Sequence, residues 1–145
     1  MIRPTFDIFD EEWARRVVGA RSSRGIDGYL GIVVTAFEPG RLVAEMEVTK
    51  DLITVMGTMH GGCLSALCDH MLGVVMYPVM PPGSWAATTE FKINLLAPVT
   101  TGVCRATSEI IAITKRMAVV RIEIENEGRL VAAAQGTCTI VAPKT

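Results

Sequence analysis

His60, Gly61, Gly62 and Asp69 are the residues whose types and spacing could do chemistry in this chain. They fall in TMHGGCLSALCDHMLGVVMYPVMPPG, Thr58 to Gly83, where a histidine and two glycines open a strongly apolar helical pattern. A helix N-terminus carries backbone N–H groups without intrahelical acceptors and the positive end of the dipole. Glycines at 61 and 62 leave such donors uncovered, which suits an oxyanion or a polarised carbonyl. Asp69 puts a carboxylate inside the apolar helix, where burial without a partner is costly. Asp69 lies eight residues beyond Gly61, which is about 12 Å of helix rise. That is too far for both to act on one carbonyl within one chain. Two antiparallel copies of the helix about a twofold axis would bring each Asp69 to the partner's Gly61, so the spacing predicts an active site shared across a homodimer. Taken singly, Asp69 also reads as a hydrogen-bonded core aspartate and the glycine pair as a turn. The combination points to function.

The helix has two faces. Leu64, Leu67, Cys68, Met71, Leu72 and Val75 follow the spacing of a buried stripe. Gly62, Ala66, Asp69 and Gly73 follow a second stripe of mostly small residues, suited by analogy to close approach of another backbone. Upstream, Phe6 to Ala20 predicts a short helix with Phe9, Trp13 and Val17 on one side, acidic residues early and arginines late. SSRGIDG reads as a loop. The period then changes to two, and Tyr29–Phe37 and Arg41–Val48 predict a hairpin around EPGR. After the helix come four strand-like runs, Trp85–Leu95, Gly102–Thr114, Met117–Asn126 and Arg129–Val141. In the third, Ala118, Val120, Ile122 and Ile124 alternate with charged residues, the pattern of a one-sided antiparallel strand. The whole is α+β, one domain over 1–145 with an N-terminal helix and loop in 1–25, and an antiparallel sheet of five to six strands wrapped around one long central helix.

Composition narrows the function classes. Half of the 145 residues are hydrophobic and the formal net charge is −1, so no basic field points to nucleic acid. A mean hydropathy of +0.37 suggests surface buried against other subunits. The N-terminus lacks the pattern of a signal peptide. The most apolar window, Leu64 to Met80, is too short and too broken to span a bilayer. A cytoplasmic protein without membrane association is expected. Cys63, Cys68, Cys104 and Cys138 form no CxxC pair, and His60 and His70 are the two histidines, so metal-ligand spacing is absent.

HGGCLSALCDH resembles the HGGxxxxLxD signature of hotdog-fold acyl-CoA thioesterases of the PaaI type, which include thioesterase superfamily member 2. TTEFKINLLAPV, Thr88 to Val99, resembles the family's strand after the helix. The resemblance covers nearly all of the chain beyond residue 28. It implies hydrolysis of an acyl-CoA thioester without metal or cofactor, CoA being part of the substrate, by a homotetramer built as a dimer of dimers. By this resemblance Asp69 attacks the thioester carbonyl or activates water for that attack. Gly61 N–H of the partner subunit polarises the carbonyl, and His60 supports that loop. Gly62, Thr54 and Thr88 are substrate-binding candidates, Thr88 as the polar residue that helps hold water. Thr54 stands where many members carry an asparagine, and lacks that amide's two donors. Lys115 and Arg116, in the TKR turn, read equally as an ordinary charged turn or as partners of the CoA phosphates.

Further side chains compete for roles. Thr88, Glu90, Lys92 and Asn94 alternate as one strand face, with Lys92 and Asn94 read as solvated. Cys63, three residues from His60, lacks an orienting third group for a Cys–His nucleophile. Met56 and Met59, near the helix start, could line a pocket for an acyl or aryl group. The resulting expectation is hydrolysis of an aryl- or medium-chain acyl-CoA. The alternatives are a non-catalytic acyl-CoA binding or sensing protein and a hydratase or dehydratase on the same fold.

Overall fold

The computed structural model describes residues 4–143, and its organising element is the helix α3, Gly61–Val74. Leu64, Leu67, Cys68, Met71 and Leu72 are buried, as is Val75 just beyond. The expected apolar stripe is therefore the face that the sheet covers. The helix stops well before Gly83. Val75 and Met76 make a turn, and Pro78 enters a 3-10 turn, Tyr77–Val79, at its first positions, where proline's missing N–H costs nothing. The run Gly61–Val79 has the length and apolarity of a membrane span, 19 residues, but half of its span-like window is buried inside the fold. The α-helix proper has 14 residues, about 21 Å against the roughly 30 Å of a bilayer core.

Among the described residues six strands form one sheet: β1 Val33–Glu38, β2 Arg41–Glu47, β3 Trp85–Leu95, β4 Val103–Ile113, β5 Met117–Asn126 and β6 Arg129–Val141. Their spatial order is β1-β2-β4-β5-β6-β3, and every pair is antiparallel. On β5, Ala118, Val120, Ile122 and Ile124 are buried toward α3, and Arg121, Glu123 and Glu125 are exposed. The sheet curls around α3 in the α+β arrangement of a hotdog fold. Strand β3 forms one edge, so one side of its 11-residue backbone has no strand beside it among the described residues.

The N-terminal arm departs from expectation. Helix α1 covers only Glu11–Val17, because Asp10 caps it by accepting from the Trp13 N–H at 2.9 Å. SSRGIDG is not all loop. Its end belongs to α2, Gly25–Leu30, which buries Leu30 and closes with Gly31 in the left-handed region at φ 67. Tyr29 sits in that helix, so β1 starts later than expected, at Val33.

A bulge changes the reading of β3. The register steps from Thr88↔Cys138 to Glu90↔Thr137, so Thr89 is the extra residue. Thr89 and Glu90 both turn outward, where their side chains bond Thr139 at 2.6 Å and Thr137 at 2.6 Å. Thr88 therefore faces α3, opposite to Glu90, Lys92 and Asn94. The single face expected for those four residues is split at this point. Gly136 lies where the strands approach: a Cβ there would meet Phe91 Cβ at 2.5 Å and Glu90 O at 2.7 Å. Gly136→Ala must push the β3 backbone away beside its bulge. The expected loss is about 1–3 kcal/mol, as for other overpacked sites, read as a lowered denaturation midpoint. An unchanged midpoint would contradict this packing.

Candidate active site

The chain reaches α3 through a segment pinned on both sides. Met59 N–H donates to Val99 O at 2.7 Å and His60 N–H donates to Leu52 O at 2.9 Å. His60 is the N-cap residue of α3, and its Nδ1 accepts from Gly62 N–H at 2.8 Å. With Nδ1 accepting, the neutral ring carries its proton on Nε2. The two glycines have different reasons. A Cβ on Gly61 would meet Leu95 Cδ1 at 2.5 Å, and one on Gly62 would meet His60 Nδ1 at 2.8 Å. Gly62 is therefore not an open donor, contrary to expectation, because the imidazole already uses its N–H. Gly61 N–H has no acceptor among the described residues, and remains the free donor at the positive end of the helix.

Asp69 corrects a second expectation. It is exposed, not buried, on the side of α3 that the sheet leaves open. Its carboxylate has no hydrogen bond or ion pair among the described residues. It lines an open groove of about 970 Å3 between α3 and the start of β3, together with His70, Gly73, Tyr77, Trp85 and Thr88. Thr88 pairs with Cys138, whose thiol donates to Leu72 O at 3.2 Å, so the bulge aims Thr88 into the helix–sheet seam beside Asp69. Helix α3 runs antiparallel to β3, with Gly61 against Leu95 and Asp69 in the groove with Thr88.

Other candidates stand apart. Thr54 closes a tight turn: its hydroxyl accepts from Met56 N–H at 3.2 Å, and its own N–H donates to Thr58 O at 2.8 Å. It does not line the groove. Lys115 and Arg116 are exposed in the β4–β5 turn and do not line it either. Cys63 has no Nδ1 to act on it, since that atom holds Gly62, and burial pushes its thiol up. Burial pushes Cys68 up to about 12, with the Asp69 charge adding to the effect. Among the described residues no three His, Cys, Asp or Glu side chains are placed to hold a metal ion. The sequence reading missed Tyr77 and Trp85. Their only sequence signal was two aromatics flanking PVMPPGS, and only the fold brings both into the groove.

Comparison with known proteins supplies a family. The thioesterase superfamily model matches residues 56–133, a span that contains His60, Gly61, Asp69 and Thr88. The 1,4-dihydroxy-2-naphthoyl-CoA hydrolase of Listeria monocytogenes serotype 1/2a (strain 10403S) is 29% identical, over 83% of this chain and 97% of its own. Acyl-coenzyme A thioesterase 13 of Homo sapiens is 24% identical, over 85% and 91%. The phenylacetic acid degradation protein PaaI of Thermus thermophilus, solved as a mutant, superposes with a TM-score of 0.72 at 30% identity, over 78% and 96%.

His70 carries a pH prediction. Burial holds this half-buried imidazole below its ordinary 6.5, while Asp27 and Asp69 pull it partly back. The unfolded chain therefore takes up this proton more readily than the folded one. Its contribution to stability is present above about pH 6.5 and is lost as pH falls through the window below. The melting temperature should decline between pH 7 and 5, and less steeply in His70→Gln. Parallel declines in the two proteins would remove His70 as the cause.

Proposed function

This chain belongs to the thioesterase superfamily, and from that premise we propose that it hydrolyses an aryl- or medium-chain acyl-CoA at a site shared by two subunits. As a thioester hydrolase of that superfamily, it must hold a carbonyl, stabilise negative charge on its oxygen, and deliver water or a nucleophile to its carbon. Asp69 is the groove carboxylate on α3, and it is the residue assigned as nucleophile or base. As a nucleophile, its carboxylate forms a mixed anhydride and expels the CoA thiolate, and water then releases the acid. As a base, it takes a proton from the water that attacks. Either route ends in free acid and CoA thiol, and neither draws on a metal or cofactor.

The observation that carries this reading is the pairing, on one rigid helix, of a donor and a carboxylate that are both without a partner among the described residues. Gly61 N–H and Asp69 are about 12 Å apart along α3, so the carbonyl cannot meet both in one chain. The β3 edge offers the means of assembly. An exposed, unpaired edge of this length demands cover, and Leu95 and Leu96 beside it are 54% and 52% exposed. Antiparallel pairing of two β3 strands about a twofold axis at Lys92, with Thr89 the extra residue, would set the partner subunit's Leu95 opposite Thr88. That also brings Gly61 of the partner subunit to Asp69. His60 then acts through Gly62, fixing the turn that presents Gly61. Thr88 is the candidate to hold water beside the carboxylate. Lys115 and Arg116 lie at the same end of the sheet as Trp85, since Met117 pairs with Thr139 and Trp85 with Val141, and are the candidates for CoA phosphates.

The test is thiol release from phenylacetyl-, hydroxybenzoyl-, hexanoyl- and lauroyl-CoA by wild type and Asp69→Ala, with mass measured by light scattering. The expectation is turnover on the aryl or hexanoyl ester, a loss of roughly a hundredfold or more in Asp69→Ala, and a particle of at least two chains. Undiminished turnover in Asp69→Ala would refute the role of the carboxylate. A fully active monomer would refute the shared site.

A further inference from the structure

Beyond Asp69 the groove ends in aromatic rings that the reaction as described does not use. Tyr77 follows α3 on the 3-10 turn and is 37% exposed, and Trp85 opens β3 and is 51% exposed. Both line the same groove as Asp69. Between Asp69 and Tyr77 lies Gly73, one turn along the helix, where an added Cβ would meet nothing within 4 Å. The space beside the rings is therefore open.

One face of Tyr77 is already occupied. The Trp13 ring stacks on it at 5.5 Å with 22° between the planes, and meets Phe37 edge-on at 5.9 Å and 82°. The backbone is tied at the same place. Asp10 N–H donates to Pro78 O at 2.8 Å, and the Asp10 carboxylate caps the Trp13 N–H at 2.9 Å. Helix α1 thus grips the turn carrying Tyr77 by both ring and main chain.

Charge decides which part of the substrate this end can take. Among the described residues the groove lining includes the Asp69 carboxylate and no lysine or arginine, the Glu90 carboxylate being turned outward to Thr137. Inside the groove phosphates have no cationic partner, since Lys115 and Arg116, at this end of the sheet, lie outside it, whereas a neutral acyl group meets the rings. Two bare aromatic surfaces add stacking or edge-to-face contact for a planar ring, which an alkyl chain cannot match by area alone.

We propose that Tyr77 and Trp85 form an aryl-binding shelf that selects planar aromatic acyl groups, and that Trp13 is the positioning residue that holds Tyr77 in that shelf. This rests on the reading that the thioester sits at Asp69.

The test compares phenylacetyl-CoA with hexanoyl-CoA in wild type, Tyr77→Leu, Trp85→Leu, Trp13→Leu and Trp13→Phe. Thiol release gives kcat and KM for each ester, and free CoA is titrated as an inhibitor. Binding of both esters is also measured in Asp69→Asn, alone and combined with each shelf variant. The aryl preference, as kcat/KM or as relative affinity, should fall about tenfold in the three leucine variants, mainly through KM, the scale of a lost aromatic contact. Hexanoyl-CoA should change less than about threefold, inhibition by CoA should stay constant, and Trp13→Phe should retain most of the preference. Equal losses on both esters would reduce the rings to a structural role and overturn the proposal. Weaker inhibition by CoA in step with the loss would give the shelf to the CoA arm and also overturn it. Wild-type turnover persisting in Asp69→Asn would sink the role of Asp69 instead, while the ratio between esters still decides the shelf.

Discussion

The rigidity of α3 holds Gly61 and Asp69 about 12 Å apart, and much of the rest of the molecule answers to that separation. Neither group can be bent toward the other without breaking the helix. A donor and a carboxylate that must share one carbonyl therefore require a second helix running the other way. The twofold assembly is thus a demand of the proposed chemistry, and not only a way to cover apolar surface.

The helix divides its surface accordingly. The sheet takes the stripe of Leu64, Leu67, Met71 and Leu72, each worth about 1.5–3 kcal/mol of burial. The opposite side, with Gly62, Ala66, Asp69 and Gly73, is left exposed or half-buried. Strand β3 sits where that open side meets the sheet edge, so one strand borders both the groove and the exposed backbone. The bulge at Thr89 then distributes its side chains. Without the extra residue, Thr88 would share the outer face with Glu90, and the groove would lose its hydroxyl beside Asp69. Gly136 permits that bulge by letting β6 approach the Phe91 and Glu90 backbone.

Periodicity made much of this architecture readable from the residues alone. The α3 stripe and the strands β3 to β6 fell close to their expected positions because apolar residues recur at helix or strand spacing over most of each element. The arm did not. Nothing in SSRGIDG marks a helix, since α2 rests on the burial of Leu30 and on Gly31 closing it, both products of packing. The bulge was equally hidden. TTEFKIN alternates smoothly through residue 89, and an inserted residue changes the phase of a strand without changing its composition. Asp69 was misplaced for a third reason. An apolar helix around a carboxylate implies a buried carboxylate only if one chain covers the whole helix, and this chain covers half.

The glycine pair shows how a motif can be right in kind and wrong in detail. Both residues looked like a means of uncovering backbone donors, yet Gly62 makes room for His60, whose ring then takes the Gly62 N–H. Gly61 makes room for Leu95, and its N–H has no acceptor among the described residues. Neither has the positive φ that favours glycine, so the requirement at both positions is space and not backbone conformation. The consequence is chemical. A helix N-terminus ordinarily offers several donors at once, and here His60 takes two of them, the Gly62 N–H with its ring and the Cys63 N–H with its carbonyl. What remains is one N–H, placed by the contact of Gly61 with Leu95 at the end of β3. That strand is also the one whose free edge would bring the second subunit. The position of the donor is therefore tied to the assembly that gives it a substrate to hold.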